Sequence, residues 1–384
     1  SILVYQNVPY LNDHIIYIGK FKDKVLVSTY GHSISEVTDF HFKQVDYLCK
    51  IAESRSALLS TASIHDTSYA SFSGELVRFA PQQIPQKNLF FQSAYAGAKF
   101  VLETTDHHIW LLNGGGLRNI NNQTCTSIAY VSPFKLTCGL VKGTGILVGG
   151  KKGLYLFKNK KYESLGDLDP LLKSQITAMT EDKTGAIWIA TMGKGVLRLK
   201  NNKVVHIPDK KGLISNLCTS ITLDDYNNIW IGTNKGLSCI QNIHAEDEQW
   251  QIKNIDDKNG LNSNDVTTLF ANKDVLWVGT MWGLSSLQIK NCLLPIPVSL
   301  AYISSIAVNS SPVSKHLFSY QENNLKFKLD ALTFKDRGDH LFRYRLIGLD
   351  SSWAETKTDE LLINNLAPGN YLLQVQVANK DKIW

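Results

Sequence analysis

Apolar and polar residues alternate along this chain in short runs, and the three-to-four-residue spacing of an amphipathic helix is nearly absent. Around residue 188 the apolar runs cover residues 176–179, 187–191, 196–199 and 204–207. Residues 182–185, Asp-Lys-Thr-Gly, separate the first two runs, and Asp and Gly favour tight turns. The pattern predicts four short strands joined by turns.

This four-strand pattern repeats. Trp188, Trp230 and Trp277 stand at the same place in three strong copies, 42 and 47 residues apart. Weaker copies are anchored at residues 26, 110 and 147, and a seventh must lie between 26 and 110. The stretch 68–74 fits that copy best, although 57–61 competes with it. A period near 40 residues with four strands per unit is typical of a β-propeller, so seven anchors predict seven blades.

The last repeat lacks its fourth strand, because the chain turns towards Pro295 and Pro297 after residue 289. Residues 2–8 form an apolar run that precedes the first repeat and belongs to none. We therefore expect this N-terminal strand to complete the seventh blade and close the ring. The predicted propeller covers residues 1–295.

The strong copies read Ile/Leu-Trp-Ile-Gly-Thr-x-x-Gly-Leu with small variations, as in residues 229–237. This pattern resembles the two-component regulator propeller repeat. The match is strong around Trp188, Trp230 and Trp277, moderate around residues 110 and 147, and weak before residue 100.

Residues 296–384 change to alternating strands without the propeller motif. The segments around Tyr344, residues 365–371 and residues 374–379 resemble the triple-tyrosine (Y_Y_Y) domain, which is an immunoglobulin-like β-sandwich. Tyr344 and Tyr371 match two of its tyrosines, whereas Ile363 occupies the place of the third. The predicted fold is therefore all-β, with a seven-bladed propeller followed by this sandwich, which we expect to be truncated at its C-terminal end.

The order of propeller and sandwich resembles the extracytoplasmic sensor region of hybrid two-component histidine kinases of gut Bacteroidetes. The resemblance implies a periplasmic region that senses an oligosaccharide or another small molecule and signals through the sandwich. It also implies a homodimeric receptor and a membrane helix and kinase that this chain lacks. A propeller that serves only as a protein-interaction scaffold is the alternative.

The charge of the chain gives little support to nucleic-acid binding. The net charge is +6, but lysines are scattered and arginines number only seven, whereas reading of bases relies heavily on Arg. No run approaches the ~18 apolar residues that span a bilayer. The six cysteines stand singly, without metal-ligand or disulfide-scaffold spacing, and are expected to be small buried side chains.

No sequence pattern points to catalysis, a metal or another cofactor. A propeller-type polysaccharide lyase would need a His, with a metal or a basic side chain, to take a proton beside a carboxylate. The histidines are scattered, and the adjacent pair His107-His108 would point its rings apart in a strand. A sialidase would need an arginine cluster, and the four propeller arginines occupy unrelated repeat positions. A non-enzymatic sensor is therefore the main interpretation, with a lyase as the weaker alternative.

The candidate ligand-binding residues lie in the turns between the second and third strands, which we expect on one face around the central opening. They vary while the surrounding frame repeats, and Trp282, Asn and Lys offer stacking and hydrogen bonds to a sugar. The predicted site residues are Tyr30, His32, Phe72, Asn113, Lys151, Met192, Lys194, Asn234, Lys235, Met281 and Trp282. Trp230, in contrast, is expected to be a buried wedge between blades.

Overall fold

The computed structural model describes residues 2–4, 11, 13–21, 24–31, 33–38, 40–45, 48, 58–64, 67–72, 76–79, 99–121, 126–243, 250–293, 300–309, 311–313, 317–332, 341–378 and 384. The chain divides into two compact units, Ser1–Leu293 and Leu294–Trp384. The division lies two residues before the domain boundary that the sequence predicts.

The described residues of the first unit form seven sheets. Blade 1 contains β2 (Ile15–Phe21), β3 (Lys24–Thr29), β4 (Ile34–Thr38) and β5 (His41–Gln44). Blade 2 contains β6 (Leu58–Ile64), β7 (Thr67–Phe72) and β8 (Leu76–Phe79). Blade 3 contains β9 (Phe100–Glu103), β10 (Ile109–Asn113), β11 (Gly116–Asn121) and β12 (Thr126–Val131). Blade 4 contains β13 (Leu136–Lys142), β14 (Gly145–Gly150), β15 (Gly153–Lys158) and β16 (Lys161–Ser164).

The remaining three blades follow the same order. Blade 5 contains β17 (Ile176–Glu181), β18 (Ile187–Thr191), β19 (Val196–Lys200) and β20 (Lys203–Ile207). Blade 6 contains β21 (Cys218–Leu223), β22 (Ile229–Thr233), β23 (Gly236–Gln241) and β24 (Gln251–Ile255). Blade 7 contains β25 (Val266–Asn272), β26 (Val275–Thr280), β27 (Gly283–Gln288) and the N-terminal strand β1 (Ile2–Val4). Short 3₁₀ turns at Pro170–Lys173, Asp209–Lys211 and Asp257–Asn259 lie between blades, and α1 (Ile289–Leu293) ends the unit.

The inner strands close a ring. The first strand of each blade contacts the first strands of its two neighbours, through β2, β6, β9, β13, β17, β21 and β25 and back to β2. Ile2, Leu3 and Val4 pair antiparallel with Leu287, Ser286 and Ser285. The outer strand of blade 7 thus comes from the start of the chain, which is the closure that its missing fourth strand predicts. The all-β propeller and sandwich architecture is confirmed.

Blade 2 shows which of its two competing stretches is the second strand. Residues 67–72 form β7, the second strand, and residues 58–64 form the inner strand β6 that pairs with it. The described part of the stretch 68–74 is therefore the repeat anchor that the sequence favours, and residues 58–61 of the competing stretch belong to the inner strand. Residues 57, 73 and 74 lie outside the described residues.

An aspartate fixes each of two repeat tryptophans. The Trp188 indole Nε1–H donates to Asp182 at 2.8 Å, and the Trp230 indole donates to Asp224 at 2.8 Å. The second carboxylate oxygen of Asp182 accepts the backbone N–H groups of Thr184 and Ala186. The same carboxylate therefore shapes the turn between strands one and two and satisfies the one polar atom of a buried indole.

The hydrogen bonds around Asp182 favour its ionised form. Burial alone raises the pKa of this carboxyl, but the bonds from Thr184, Trp188 and the backbone outweigh burial, and the net pKa is lowered. A lowered folded-state pKa stabilises the native state above the unfolded pKa of about 4. That contribution is lost as the pH falls through the lower folded value.

The repeat tryptophans are wedges between blades, as the sequence predicts. Trp188 and Trp230 are fully buried. Trp188 packs in a cluster with blade 6 residues, Trp230 in a cluster with blade 7 residues, and Trp277 in a cluster with blade 1 residues. Each indole therefore joins its own blade to the following one. Trp277 has Ala271 where the other two repeats have the aspartate, and Phe40 and Phe42 pack against its ring instead.

Threonine hydroxyls form a second link between blades. The inner strands of blades 4 to 7 each carry a β-bulge near their start, and a threonine is the extra residue. These hydroxyls lie 2.5–2.9 Å from a backbone carbonyl of the next blade, in the pairs Thr137–Ile176, Thr177–Cys218, Thr219–Val266 and Thr267–Ile15. Thr137, Thr177 and Thr219 also lie 3.0–3.1 Å from a carbonyl of their own blade. Since a hydroxyl has one proton, the shorter distance indicates that it donates mainly to the neighbour.

The second unit contains two sheets. One is ordered β29 (Ser311–Val313), β28 (Leu300–Val308), β30 (Leu325–Leu332) and β33 (Glu360–Ile363); the other is ordered β32 (Asp350–Thr356), β31 (Leu341–Ile347) and β34 (Leu372–Ala378). Tyr344 and Ile363 pack against the core between them, which explains why Ile can replace a tyrosine there. Tyr371 instead donates its hydroxyl proton to the Ala367 carbonyl at 2.8 Å. No helix among the described residues is long and apolar enough to cross a membrane.

Replacement of Trp230 with Ala should lower the free energy of unfolding by ~3–5 kcal/mol, because it empties the space between blades 6 and 7. Trp282→Ala is the matched control, since the Trp282 side chain is 70% exposed and its loss should cost well under ~1 kcal/mol. Chemical denaturation of both variants measures the difference. Equal losses of stability would contradict the assignment of Trp230 as a wedge.

Replacement of Thr219 with Val keeps the β-branched shape but removes the proton that reaches the Val266 carbonyl. The unfolding free energy should fall by about 1–3 kcal/mol, because that carbonyl loses its donor. Thr219→Ser retains the hydroxyl and should lose less. If denaturation curves show Val and Ser to be equivalent, the hydroxyl does not join the blades.

Candidate functional site

The turns between second and third strands lie at one end of the propeller, which we call the top face. In blades 5 to 7 the last residue of the second strand is a fully buried threonine, Thr191, Thr233 or Thr280. Its hydroxyl donates to the carbonyl of the glycine that ends the turn, at 2.7–2.9 Å. It also accepts a turn N–H, from Lys194, Lys235 or Trp282 respectively, at 3.0–3.2 Å. The threonine therefore closes the turn and holds one of its residues in place.

Glycine ends these turns for a steric reason. Gly236 has φ +117°, and a Cβ built on it would lie 2.4 Å from the Ile255 carbonyl oxygen. A side chain is excluded there both by the backbone conformation and by the close neighbour. The frame of the turn is thus fixed by Thr233 and Gly236, while Asn234 and Lys235 between them are free to differ from blade to blade.

A second set of top-face residues stands just before each inner strand. In five blades the first turn residue donates its N–H to the carbonyl of this preceding residue, in the pairs Tyr30–His14, Lys151–Lys135, Met192–Gln175, Asn234–Leu217 and Met281–Asp265, at 2.9–3.4 Å. Because the inner strands surround the axis, these preceding residues lie closer to the central opening than the turns do. The sequence pattern did not indicate these residues, although an offset of 16 or 17 residues from the turn identifies them.

The top face exposes several large side chains. Trp282 is 70% exposed and Tyr30 is 69% exposed, while Met192 and Met281 are also on the surface. The ring of Tyr30 stacks on His14 with 6.2 Å between centroids. The backbone of Trp282 is held on both sides, since Thr280 accepts its N–H and Asn262 donates to its carbonyl. An exposed indole on a fixed backbone is a preorganised stacking surface.

Two predicted site residues occupy the strand end rather than the turn. Phe72 pairs with Leu58 in the position that Thr233 has opposite Cys218, and it is fully buried in the core between blades 1 and 2. Its prediction as an exposed ligand contact is therefore wrong. Asn113 likewise ends its strand, and its side-chain oxygen accepts the Gly115 N–H at 3.0 Å. Asn113 closes its turn as the threonines do, and glycines fill the turn itself.

The remaining predicted residues divide into exposed and restrained groups. Lys151, Lys194 and Lys235 are exposed on the top face. Asn234 is half-buried, and its side-chain oxygen accepts the Ser215 hydroxyl proton at 2.8 Å, so it ties the turn to the connection between blades. His32 lies outside the described residues.

A cavity of about 460 Å³ lies along the inner strands of blades 7, 1, 2 and 3. Gly19 and Ala62 make room for it, Phe100 and Phe270 give it apolar walls, and Ser60 adds a hydroxyl. The Ser60 oxygen is buried without a hydrogen-bond partner. This central cavity is a second place on the propeller where a small molecule or water can enter, and the sequence did not indicate it.

Cysteine chemistry is not favoured in the described part of the chain. Burial raises the pKa of the Cys138 and Cys218 thiols to about 12, and it raises that of Cys239 well above its usual value. These thiols are therefore neutral, as expected for small buried side chains, whereas Cys49 and Cys125 lie outside the described residues. Within those residues no group of three or more His, Cys, Asp or Glu side chains is arranged to hold a metal ion.

Family models match both units. The model of the two component regulator propeller matches residues 170–193 and 212–235, and the Y_Y_Y domain model matches residues 333–384. Each propeller match runs from the connection before a blade through its first two strands to the top-face turn. No curated protein sequence matches the chain significantly.

Solved structures with TM-scores above 0.5 share the fold at low sequence identity, as two examples show. Virginiamycin B lyase from Staphylococcus aureus has a TM-score of 0.57 and 11% identity over 75% of this chain and 98% of its own. PorZ, a surface component of the type-IX secretion system of Porphyromonas gingivalis, has a TM-score of 0.52 and 11% identity over 96% of this chain and 60% of its own. The extracellular domain of a proposed hybrid two component system, BT3049 from B. thetaiotaomicron, has 12% identity over 96% of this chain and 71% of its own, with a TM-score of 0.38.

Proposed function

We propose that this chain, which carries two component regulator propeller repeats followed by a Y_Y_Y domain, is the extracytoplasmic ligand-sensing region of a membrane-bound hybrid two-component histidine kinase. The family matches support a sensor region, and the exposed Trp282 on its fixed turn supports ligand binding at the top face. In this proposal the region itself is non-catalytic and needs no cofactor.

The proposed ligand is an oligosaccharide. One face of a sugar ring is apolar and stacks on aromatic rings, while its hydroxyls need hydrogen-bond partners. The top face offers both, because Trp282 and Tyr30 are exposed aromatics on blades 7 and 1, and Lys194, Lys235 and Asp265 are exposed polar side chains on blades 5, 6 and 7. Several blades contribute, which suits an extended ligand better than a single sugar.

The proposed receptor is a homodimer in the periplasm, anchored by a membrane helix outside the given sequence. Ligand binding at the propeller would change the dimer arrangement, and the Y_Y_Y domain would pass this change towards the kinase. A ligand can shift such an equilibrium only by its difference in affinity for the two states. The region is not proposed to bind nucleic acid, since its positive charge is carried mainly by dispersed lysines.

Replacement of Trp282 with Ala should weaken oligosaccharide binding about tenfold, since a stacked aromatic contributes ~0.5–1.5 kcal/mol beyond its buried area. Tyr226→Ala is the matched control, because Tyr226 is an exposed aromatic in a turn at the opposite end of blade 6. Isothermal titration calorimetry with a panel of neutral and acidic plant and host oligosaccharides measures both affinities.

Other outcomes distinguish the alternatives. If no oligosaccharide binds and the propeller instead forms a stable complex with a purified membrane or secreted protein, the chain is a protein-interaction scaffold rather than a sugar sensor. If incubation with acidic polysaccharides releases unsaturated products that absorb ultraviolet light, the chain is a lyase. Equal effects of the Trp282 and Tyr226 substitutions would place the ligand away from the top face.

A further inference from the structure

We propose that Lys99 and Lys135 form an anion subsite on the top face, which takes a carboxylate or sulfate ester of an acidic oligosaccharide. This inference rests on the proposed function and adds the charge of its ligand. Neither lysine was among the residues that the sequence singled out.

The two lysines lie at the top-face ends of neighbouring inner strands. Lys99 directly precedes β9, and its N–H donates to the Leu112 carbonyl at 2.7 Å. Lys135 directly precedes β13, and its carbonyl accepts the Lys151 N–H at 3.2 Å. The strands β9 and β13 contact each other as adjacent members of the inner ring. Both lysines therefore stand side by side where the top face meets the central opening.

The positive charges of this pair act on each other. Partial burial is the main cause that lowers the pKa of Lys99, and the charge of Lys135 lowers it further. The thiol of Cys138 supplies no compensating negative charge, because burial raises its pKa to about 12. Two ammonium groups held near each other, one of them half-buried, favour an anion that can hydrogen-bond to both.

No carboxylate among the described residues forms an ion pair with Lys99, Lys135 or Lys151. Acidic side chains of the top face lie on other blades or are engaged: Asp13 accepts the Gly31 N–H at 2.8 Å, and Asp167 pairs with Lys173 at 3.4 Å. The backbone bond between Lys151 and Lys135 brings a third lysine, exposed on the blade 4 turn, next to the pair. On the top face, Lys99, Lys135 and Lys151 therefore have no ion-pair partner among the described residues.

The ring order also indicates the length of the ligand. Blade 7, which carries Trp282, lies across the ring from blades 3 and 4, which carry the lysine pair. A molecule that stacks on Trp282 and places its anionic group between Lys99 and Lys135 must extend over the central opening. An acidic oligosaccharide of several units meets both requirements, whereas a single sugar acid meets only one.

The test compares three oligosaccharides of equal length: a uronate oligomer, a sulfate-ester oligomer without carboxylates, and a neutral oligomer. Lys99→Met and Lys135→Met keep much of the side-chain volume and remove the charge, and Lys160→Met removes an exposed charge from the opposite end of blade 4. We expect each of the first two substitutions to weaken calorimetric binding of at least one acidic oligomer by about tenfold or more. Lys160→Met should not weaken binding of either acidic oligomer. All three variants should bind the neutral oligomer as tightly as the unchanged protein.

The two acidic oligomers identify the group that binds. If the lysine substitutions weaken binding of the uronate oligomer alone, the subsite takes a carboxylate, and if they weaken binding of the sulfated oligomer alone, it takes a sulfate ester. If acidic oligomers bind Lys99→Met and Lys135→Met as tightly as the unchanged protein, the anion subsite is wrong. If Trp282→Ala still weakens binding of the neutral oligomer in that case, the proposed sensor function remains supported although the anion subsite is wrong.

A direct readout covers the case in which none of these oligomers binds, which would count against the proposed function. NMR of the lysine side chains follows the titration of Lys99 with and without inorganic sulfate and monomeric galacturonate. An anion that binds the ammonium form raises the pKa of Lys99, and Lys135→Met should reduce this rise. A Lys99 pKa that neither anion changes would overturn the subsite.

Discussion

The threonine hydroxyl that reaches from one inner strand to the next blade is the contact on which the regular half of this propeller depends. Thr137, Thr177, Thr219 and Thr267 make it in succession, so blades 4 to 7 and the start of blade 1 are joined by one repeated bond. Each threonine can do so because a β-bulge takes it out of the ladder of its own blade. The equivalent residues of blades 1 and 2 are Ile16 and Leu59, which have no hydroxyl. The three strong repeats, blades 5 to 7, and the moderate repeat of blade 4 thus share a link that blades 1 and 2 lack at the equivalent position.

The sequence predicted the parts of the fold that depend on periodicity. Buried tryptophans recur at one strand position, alternation marks the strands, and the missing fourth strand of the last repeat indicated that the N-terminal run would pair there. The bulged threonines could not be predicted in the same way, because a bulge leaves no mark on apolar and polar alternation until its partner strand is known. The indole–aspartate bonds could be predicted only in part. The Asp was expected to bond the backbone of its turn, but its second partner, the indole six residues later, was not expected.

The errors in the candidate site arose from register. The repeat motif is weak in blade 2 and only moderate in blade 3, and a shift of one residue exchanges a strand end for a turn. Phe72 and Asn113 were placed in turns but occupy the strand-end position, where one packs into the core and the other closes the turn. The residues that precede the inner strands were missed for another reason. Their place on the top face follows from hydrogen bonds between segments 16 or 17 residues apart, and residue type alone does not reveal these bonds.

Stability and recognition are therefore carried by different residues of the same repeat, but the backbone couples them. Trp230, Asp224 and Thr219 are held inside the blades, whereas Lys151 and Trp282 project from turns whose frame they do not build. In five blades the N–H of the first turn residue nevertheless binds the residue before the inner strand, as Lys151 does with Lys135. A turn cannot move without straining this bond, so its position reports the position of the inner strand. Because the inner strands contact each other around the whole ring, a ligand that bridges Trp282 on blade 7 and the lysine pair on blades 3 and 4 would act on the ring itself as well as on the residues it touches.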